Sequence, residues 1–303
     1  MTKQFVAKKG VIWLAVVLAL VIIVGRVAAN KAARDNVDRF ISQYEQYVRI
    51  EYDQVSTSVL TLDPEITGIT LKDPIYAQTA IEIQKVVLED YALDNDDIIP
   101  KRLSIEIQGM QLSQTILEPD QREKLHALGY EQEILLDVHL RFVYDPKGAS
   151  FILEQSKIHI HDCFEVGLAL HIGNMNIQEL KNYFWVYLMF PEKLPVEIGE
   201  LHLTYTDESF FKRMVQNQAA EQGLSVQEFV DQRKARIQQT IQEEDSRHMR
   251  RLLQAVMEFT EAQNTFQIKA EPDTPVNAGR AIYLLRQEKI DELLDLFNIQ
   301  FST

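Results

Sequence analysis

Histidine is the residue in this sequence whose type and spacing could do chemistry. Five of the seven histidines, His139, His159, His161, His171 and His202, fall on the polar faces of segments with a two-residue apolar period. His159-x-His161 is followed at once by Asp162 and Cys163. Two imidazoles two apart on a strand project from one face, and imidazole, thiolate and carboxylate are the donors zinc accepts. The local donor set is His159, His161 and Glu165, with Cys163 if the chain turns back. Asp162 points to the other face unless the turn re-aims it. A structural zinc site uses four well-placed ligands, and this stretch supplies two or three. The competing account is a row of solvent-facing histidines on an amphipathic sheet. With turns at 145–148 and 162–163, His139 and His171 flank Gln155, which leaves His161 on the order of 13–20 Å away by strand rise. The five histidines therefore cannot form one site.

Other chemical signatures are absent. The chain has no G-x-S-x-G elbow, no H-E-x-x-H, no phosphate loop and no G-x-G-x-x-G. Asp94-Asn95-Asp96-Asp97 lacks the glycine and the distal glutamate of a calcium loop and reads as a solvated loop. The expectation is a non-enzymatic protein with no catalytic residue and no cofactor. A metal-dependent enzyme using His159 and His161 is the least favoured alternative.

The elements that would carry these side chains are mostly strands. Ile134, Leu136, Val138, Leu140, Phe142 and Tyr144 point one way, and Asp137, His139 and Arg141 the other. Asp145-Pro146-Lys147-Gly148 is a turn in which proline presets φ and glycine accepts positive φ. Phe151 to Ile160 returns, with a phase slip near Ser156 that suggests a bulge. Phe164, Val166, Leu168, Leu170 and Ile172 then alternate strictly. The three segments read as an antiparallel meander with one apolar face. Its residues Leu136, Leu140, Val166 and Leu170 are the candidate contacts for a hydrophobic ligand, unless helices of the C-terminal half cover them. Earlier strands are expected near 50–59, 66–71, 81–88 and 103–112, and a later one over 198–205.

Helices follow from three- and four-residue periods. Glu118 to Leu128 carries Pro119 in its first turn and Gly129 as C-cap. Ile177 to Phe190 is apolar nearly all round and too short to span a bilayer, so it reads as a buried or sheet-capping helix, with a lipid-dipping or partner-binding helix as the alternative. Asp207 to Ala220 is a helix closed by Gly223. Ser225-Val226-Gln227-Glu228 is a capping box opening an acidic helix that runs to about Ala262 and either projects or bends over Gln238 to Arg251. Phe266 to Ala270 reads as a strand, Ala281 to Phe297 as a helix, and Ile299 to Phe301 as an edge strand. The fold class is α+β: an N-terminal transmembrane helix, then a large curved, mostly antiparallel sheet packed with C-terminal helices.

Charge and hydropathy bound the location and the partners. Val11 to Val24 has no polar side chain, with Lys8 and Lys9 before it and Arg26 after. It reads as a transmembrane anchor over 10–29, with a cleaved signal peptide ending near Val27-Ala28-Ala29 as the alternative. The expected organisation is a cytoplasmic tail over 1–9, the anchor, a juxtamembrane helix over 30–48, an antiparallel β-rich region over 49–206, and a helical region with a late strand over 207–303. The expected location is the inner membrane, single-pass, with the N-terminus cytoplasmic and the bulk of the chain periplasmic. Residues 1–29 hold four of the 31 basic and none of the 45 acidic side chains, so the rest carries a net charge of −18. Such a surface repels nucleic-acid phosphate and disfavours anionic lipid. The single cysteine, Cys163, excludes an internal disulfide and leaves a cross-linked dimer as an option.

The anchor, the short helix after it and the pattern VSTSVLTLDPEITGITLKD together resemble the start of AsmA-like envelope proteins of Gram-negative bacteria. The stretch LHLTYTDESFFKRMVQNQAAEQG with its charged helix is similar to uncharacterised membrane-anchored proteobacterial proteins. The resemblance implies an inner-membrane anchor and a periplasmic β-rich body, and it assigns no functional residue. The functional expectation is envelope maintenance, or binding of a lipid or other hydrophobic ligand on the sheet. A scaffold that engages an envelope protein through the acidic helix 226–262 is the alternative.

Overall fold

The computed structural model describes residues 49–57, 63–72, 79–92, 100–113, 117, 119–130, 133–262 and 264–303. The fold is α+β, a large antiparallel sheet with several helices in the C-terminal half. Among the described residues no helix is long and apolar enough to cross a membrane. That finding overturns the expected single-pass inner-membrane placement with a periplasmic body. The expected tail, anchor and juxtamembrane helix (1–48), and the acidic loop 94–97, lie outside the described residues.

The chain divides into two compact units, with the cut inside one strand, after Arg141. In the first unit, β1 (Arg49–Glu51), β3 (Pro64–Lys72), β4 (Thr79–Ala92), β5 (Arg102–Leu112) and β6 (Ile134–Asp145) lie in that order, with β2 (Gln54–Thr57) also paired to β3. Its apolar period slips at one row. Ile66 and Ile69, Ile83 and Val86, and Ile107 and Met110 are each three apart, yet all six are buried. Because three neighbouring strands slip together, the register survives, with Ile66 opposite Val86, Ile69 opposite Ile83, Ile83 opposite Met110 and Val86 opposite Ile107. Gly68 and Gly109 sit at that row with φ of 64° and 62°, a region that side chains with a Cβ avoid. The Gly109 N–H leaves the ladder and donates to Asp137 Oδ1 at 2.7 Å.

In the second unit the order is β6, β7 (Ser150–Ile160), β8 (Phe164–Gly173), β9 (Glu197–Asp207), β10 (Thr265–Ala270) and β12 (Ile299–Ser302), with β11 (Val276–Asn277) beside β9. The meander has the expected bulge, a register shift between Leu153 and Ser156. Its first turn is held by Lys147 N–H donating to Asp145 Oδ1 at 3.0 Å. The left-handed residue there is Ala149, at φ 48°, and not Gly148. Gly148 serves instead as clearance for the Asp145 carboxylate. His171 lies opposite Ile152 and not Gln155, because the bulge and the longer turn through Asp162 shift the pairing.

The helices are α1 (Pro119–Ala127), α2 (Ile177–Asn182), α3 (Phe184–Met189), α4 (Phe210–Glu221), α5 (Val226–Glu243), α6 (Arg247–Ala262), α7 (Ala278–Arg286) and α8 (Ile290–Leu296). Gly129 and Gly223 take positive φ after α1 and α4. The capping box is complete: Ser225 Oγ accepts the Glu228 N–H, and Glu228 accepts the Ser225 N–H at 2.9 Å.

Three expected helices break. The acidic helix 226–262 bends over Glu244–Ser246 into the hairpin α5–α6, bridged by a Lys234–Glu261 ion pair. The run 281–297 splits at Glu288, which takes φ 58°. Ile177 to Phe190 splits at Tyr183 into α2 and α3, with no buried residue in either. The expected buried or sheet-capping place is therefore corrected: the segment is on the surface. The helical core of this unit is Val215, Ala219, Phe229 and Val230.

Candidate functional site

The histidines are dispersed, each with its own neighbours. His139 lies 3.6 Å from Glu89 in the first unit. In the second, His171 Nε2 lies 3.3 Å from Ser150 Oγ, and His202 Nε2 lies 3.2 Å from Glu271. His248, almost fully buried, holds Asp295 at 2.7 Å from its Nε2. That contact is the main reason the Asp295 carboxyl sits below its ordinary pKa.

Among the described histidines, His159 and His161 are the pair that comes together. They share one face of β7, half-buried, with ring centroids 4.4 Å apart. Glu165, the carboxylate expected to join them, lies opposite His159 in the ladder but pairs with Lys157 at 2.6 Å. The partner of His159 is Glu208, whose Oε1 is 2.7 Å from Nε2. Glu208 sits just past the end of β9, and no spacing in the sequence links it to residue 159. Its other oxygen accepts the Asp162 N–H at 3.1 Å, and its own N–H donates to the Cys163 carbonyl at 3.0 Å.

Beside this turn is a hydrogen-bonded knot. The Tyr130 hydroxyl is 2.9 Å from Ser209 Oγ, and Ser209 Oγ donates to the Asp162 carbonyl. Arg213 stacks over the Tyr130 ring at 4.4 Å. Burial pushes the Tyr130 hydroxyl up to about 12 and raises the Cys163 thiol as well. Cys163 is buried, which closes the route to a cross-linked dimer in the native fold.

The apolar ligand face expected from Leu136, Leu140, Val166 and Leu170 is divided. Leu136 is buried and Leu140 half-buried in the first unit. Val166 and Leu170 are half-buried in the second, opposite Ile158 and Tyr205, and opposite Leu153 and Leu201. At β9 and β10 helices cover that face: Phe259 of α6 packs edge-on against Tyr205 and Phe266 and lies 4.9 Å from Phe211. At β7, Ile158 remains 41% exposed.

Among the described residues, the longest run of exposed large apolar side chains is elsewhere. Tyr183, Phe184, Trp185, Val186, Leu188, Met189 and Phe190 are all exposed, Trp185 by 72% and Met189 by 71%. The segment is anchored at both ends. Met175 N–H donates to Ala149 O at 2.6 Å before it. After it, Asn277 Nδ2 donates to Leu194 O at 3.1 Å, and Ala278 N–H donates to Val196 O at 2.8 Å. Gly279 of α7 packs so closely on the short 3-10 helix Pro191–Lys193 that a Cβ would meet the Glu192 carbonyl. Within the segment, Tyr187 donates to Glu179 at 3.1 Å, and the Lys193 ammonium lies 5.0 Å over the Phe190 ring. It is thus a held, outward-facing aromatic element.

A family model described as an uncharacterized protein matches residues 157–303. The match includes His159, His161, Glu208 and the whole aromatic segment. No curated protein matches the chain.

Proposed function

We propose that this is a non-enzymatic lipid-binding protein that engages phospholipid through Tyr183–Phe190, with the antiparallel sheet as its scaffold. The observation that carries the reading is the exposure of seven large apolar side chains within eight consecutive residues. At ~150–250 Å² per aromatic side chain, the exposed parts of Tyr183, Phe184, Trp185 and Phe190 alone come to on the order of 400 Å². A monomer seldom leaves a patch of that size without a use. Tyr and Trp with lysine at the flanks suit the boundary between acyl chains and headgroups, where an apolar ring and a polar tip are both satisfied. Lys181 and Lys193 stand at the two ends of the segment. Half-buried Val166, Leu168 and Leu170 and exposed Ile158 offer further apolar contact on the sheet.

The test is photolabelling of the full chain with a diazirine-bearing phosphatidylcholine, read residue by residue by mass spectrometry. Label is expected on 183–190. A variant carrying Phe184→Ser, Trp185→Ser and Met189→Ser should lose about tenfold of that label, since one buried aromatic alone is worth ~1.5–3 kcal/mol. Labelling confined to other parts of the chain, or a protein cross-linked to the segment in place of lipid, overturns the reading.

A further inference from the structure

We infer that His159 and His161 form a two-imidazole site for a divalent transition cation such as zinc, with Glu208 as the residue that orients His159. The inference is independent of lipid binding. One nitrogen of each ring lies within 4.8 Å of the other. Zinc–nitrogen bonds of 2.0–2.1 Å in tetrahedral geometry need about 3.3 Å between the two nitrogens. Closing that gap is a matter of side-chain rotation, since both rings stand on one face of one strand with centroids 4.4 Å apart.

The second observation is the hold on Glu208. A carboxylate accepts only, so Glu208 Oε1 at 2.7 Å takes the Nε2–H of His159. That fixes the tautomer and leaves the Nδ1 lone pair for the cation. Carboxylate–histidine–metal relays use this same division of labour. Glu208 is itself locked, through its second oxygen to Asp162 N–H and through its backbone N–H to the Cys163 carbonyl. Asp162, whose N–H makes that bond, takes φ 59° at this turn. Glu165 is not needed as a ligand, since Lys157 neutralises it. With two imidazoles as ligands, the remaining coordination positions would fall to water, which would make the site open and exchangeable, unlike a four-ligand structural zinc.

The experiment is calorimetric titration of the tag-free full chain with zinc chloride at pH 7.5. One equivalent should bind at micromolar concentration. His159→Ala or His161→Ala should abolish that phase, and Glu208→Gln should weaken it by about tenfold or more. His171→Ala and His202→Ala, at histidines elsewhere on the sheet, should leave it unchanged. As a readout that needs no variant, zinc should protect His159 and His161 of the wild-type chain from diethyl pyrocarbonate, scored by residue. Binding that survives the His159→Ala/His161→Ala double variant overturns the site, as does absence of both the one-equivalent phase and the protection.

Discussion

At the scale of single residues, Tyr130, Cys163 and Tyr205 around the β7–β8 turn are all raised, with burial as the leading cause. Tyr130 is pushed up to about 12, and Tyr205 is raised by burial and by its hydrogen bond to Asp207. In the unfolded chain both phenols titrate near 10.0. A phenol with a raised folded pKa contributes stability that is intact below pH 10 and is lost as pH rises through the folded value. The thermal midpoint should therefore fall steadily between pH 10 and about 12. The double variant Tyr130→Phe/Tyr205→Phe should melt lower at pH 8, where it lacks the hydrogen bonds of both hydroxyls, yet decline less steeply above pH 10. Parallel slopes for variant and wild type would remove these two phenols as the cause.

At the scale of elements, the aromatic display depends on how the connection between β8 and β9 is pinned. The tightest contact is Gly279 of α7 against the backbone of Glu192, where the neighbouring atom is a main-chain carbonyl that cannot rotate away. Gly279→Ala must separate α7 from the 3-10 helix and should cost about 1–3 kcal/mol, the usual range for overpacking. Urea denaturation gives the stability change. Hydrogen exchange should rise over 191–196, where Val196 and Leu194 accept from Ala278 and Asn277. A variant with wild-type stability and unchanged exchange there would show that this contact does not hold the segment.

At the scale of the whole molecule, the proposed lipid contact has to be made by a chain with a formal net charge of −14. Apolar insertion is short-ranged, whereas charge repulsion acts over roughly 10 Å at 0.1 M salt. The label on 183–190 should thus be weaker with phosphatidylglycerol vesicles than with phosphatidylcholine vesicles. The difference should shrink as sodium chloride is raised. Equal labelling of both at low salt would mean that the chain's field does not govern the proposed contact.

Much of the fold was legible in the sequence because its signals are local. Alternation from Ile134 to Tyr144 and from Phe164 to Ile172, Gly129 and Gly223 after their helices, and the Ser225–Glu228 box each depend on residues a few positions apart. His159 and His161 were legible as neighbours for the same reason. What failed was long-range. Apolar content gave Ile177–Phe190 a buried or sheet-capping place, but burial is a property of what packs opposite, and among the described residues seven of its large apolar side chains stay exposed. In the run 226–262 the apolar-poor stretch Gln238–Arg251 left projection or a bend open, and only the tertiary structure folds it at Glu244–Ser246 into the hairpin that pairs Lys234 with Glu261. The slip at Gly68 and Gly109 keeps its register only because three strands slip at one row. Glu165, two residues past Cys163, looked like the third donor, while tertiary pairing gave it to Lys157 and brought Glu208 in from the end of β9. Sequence alone determined the strands, the caps and the histidine pair, since dihedral preference and side-chain period act within a few residues. Which apolar surface stays bare, and which carboxylate reaches His159, were decided by contacts between distant parts of the chain.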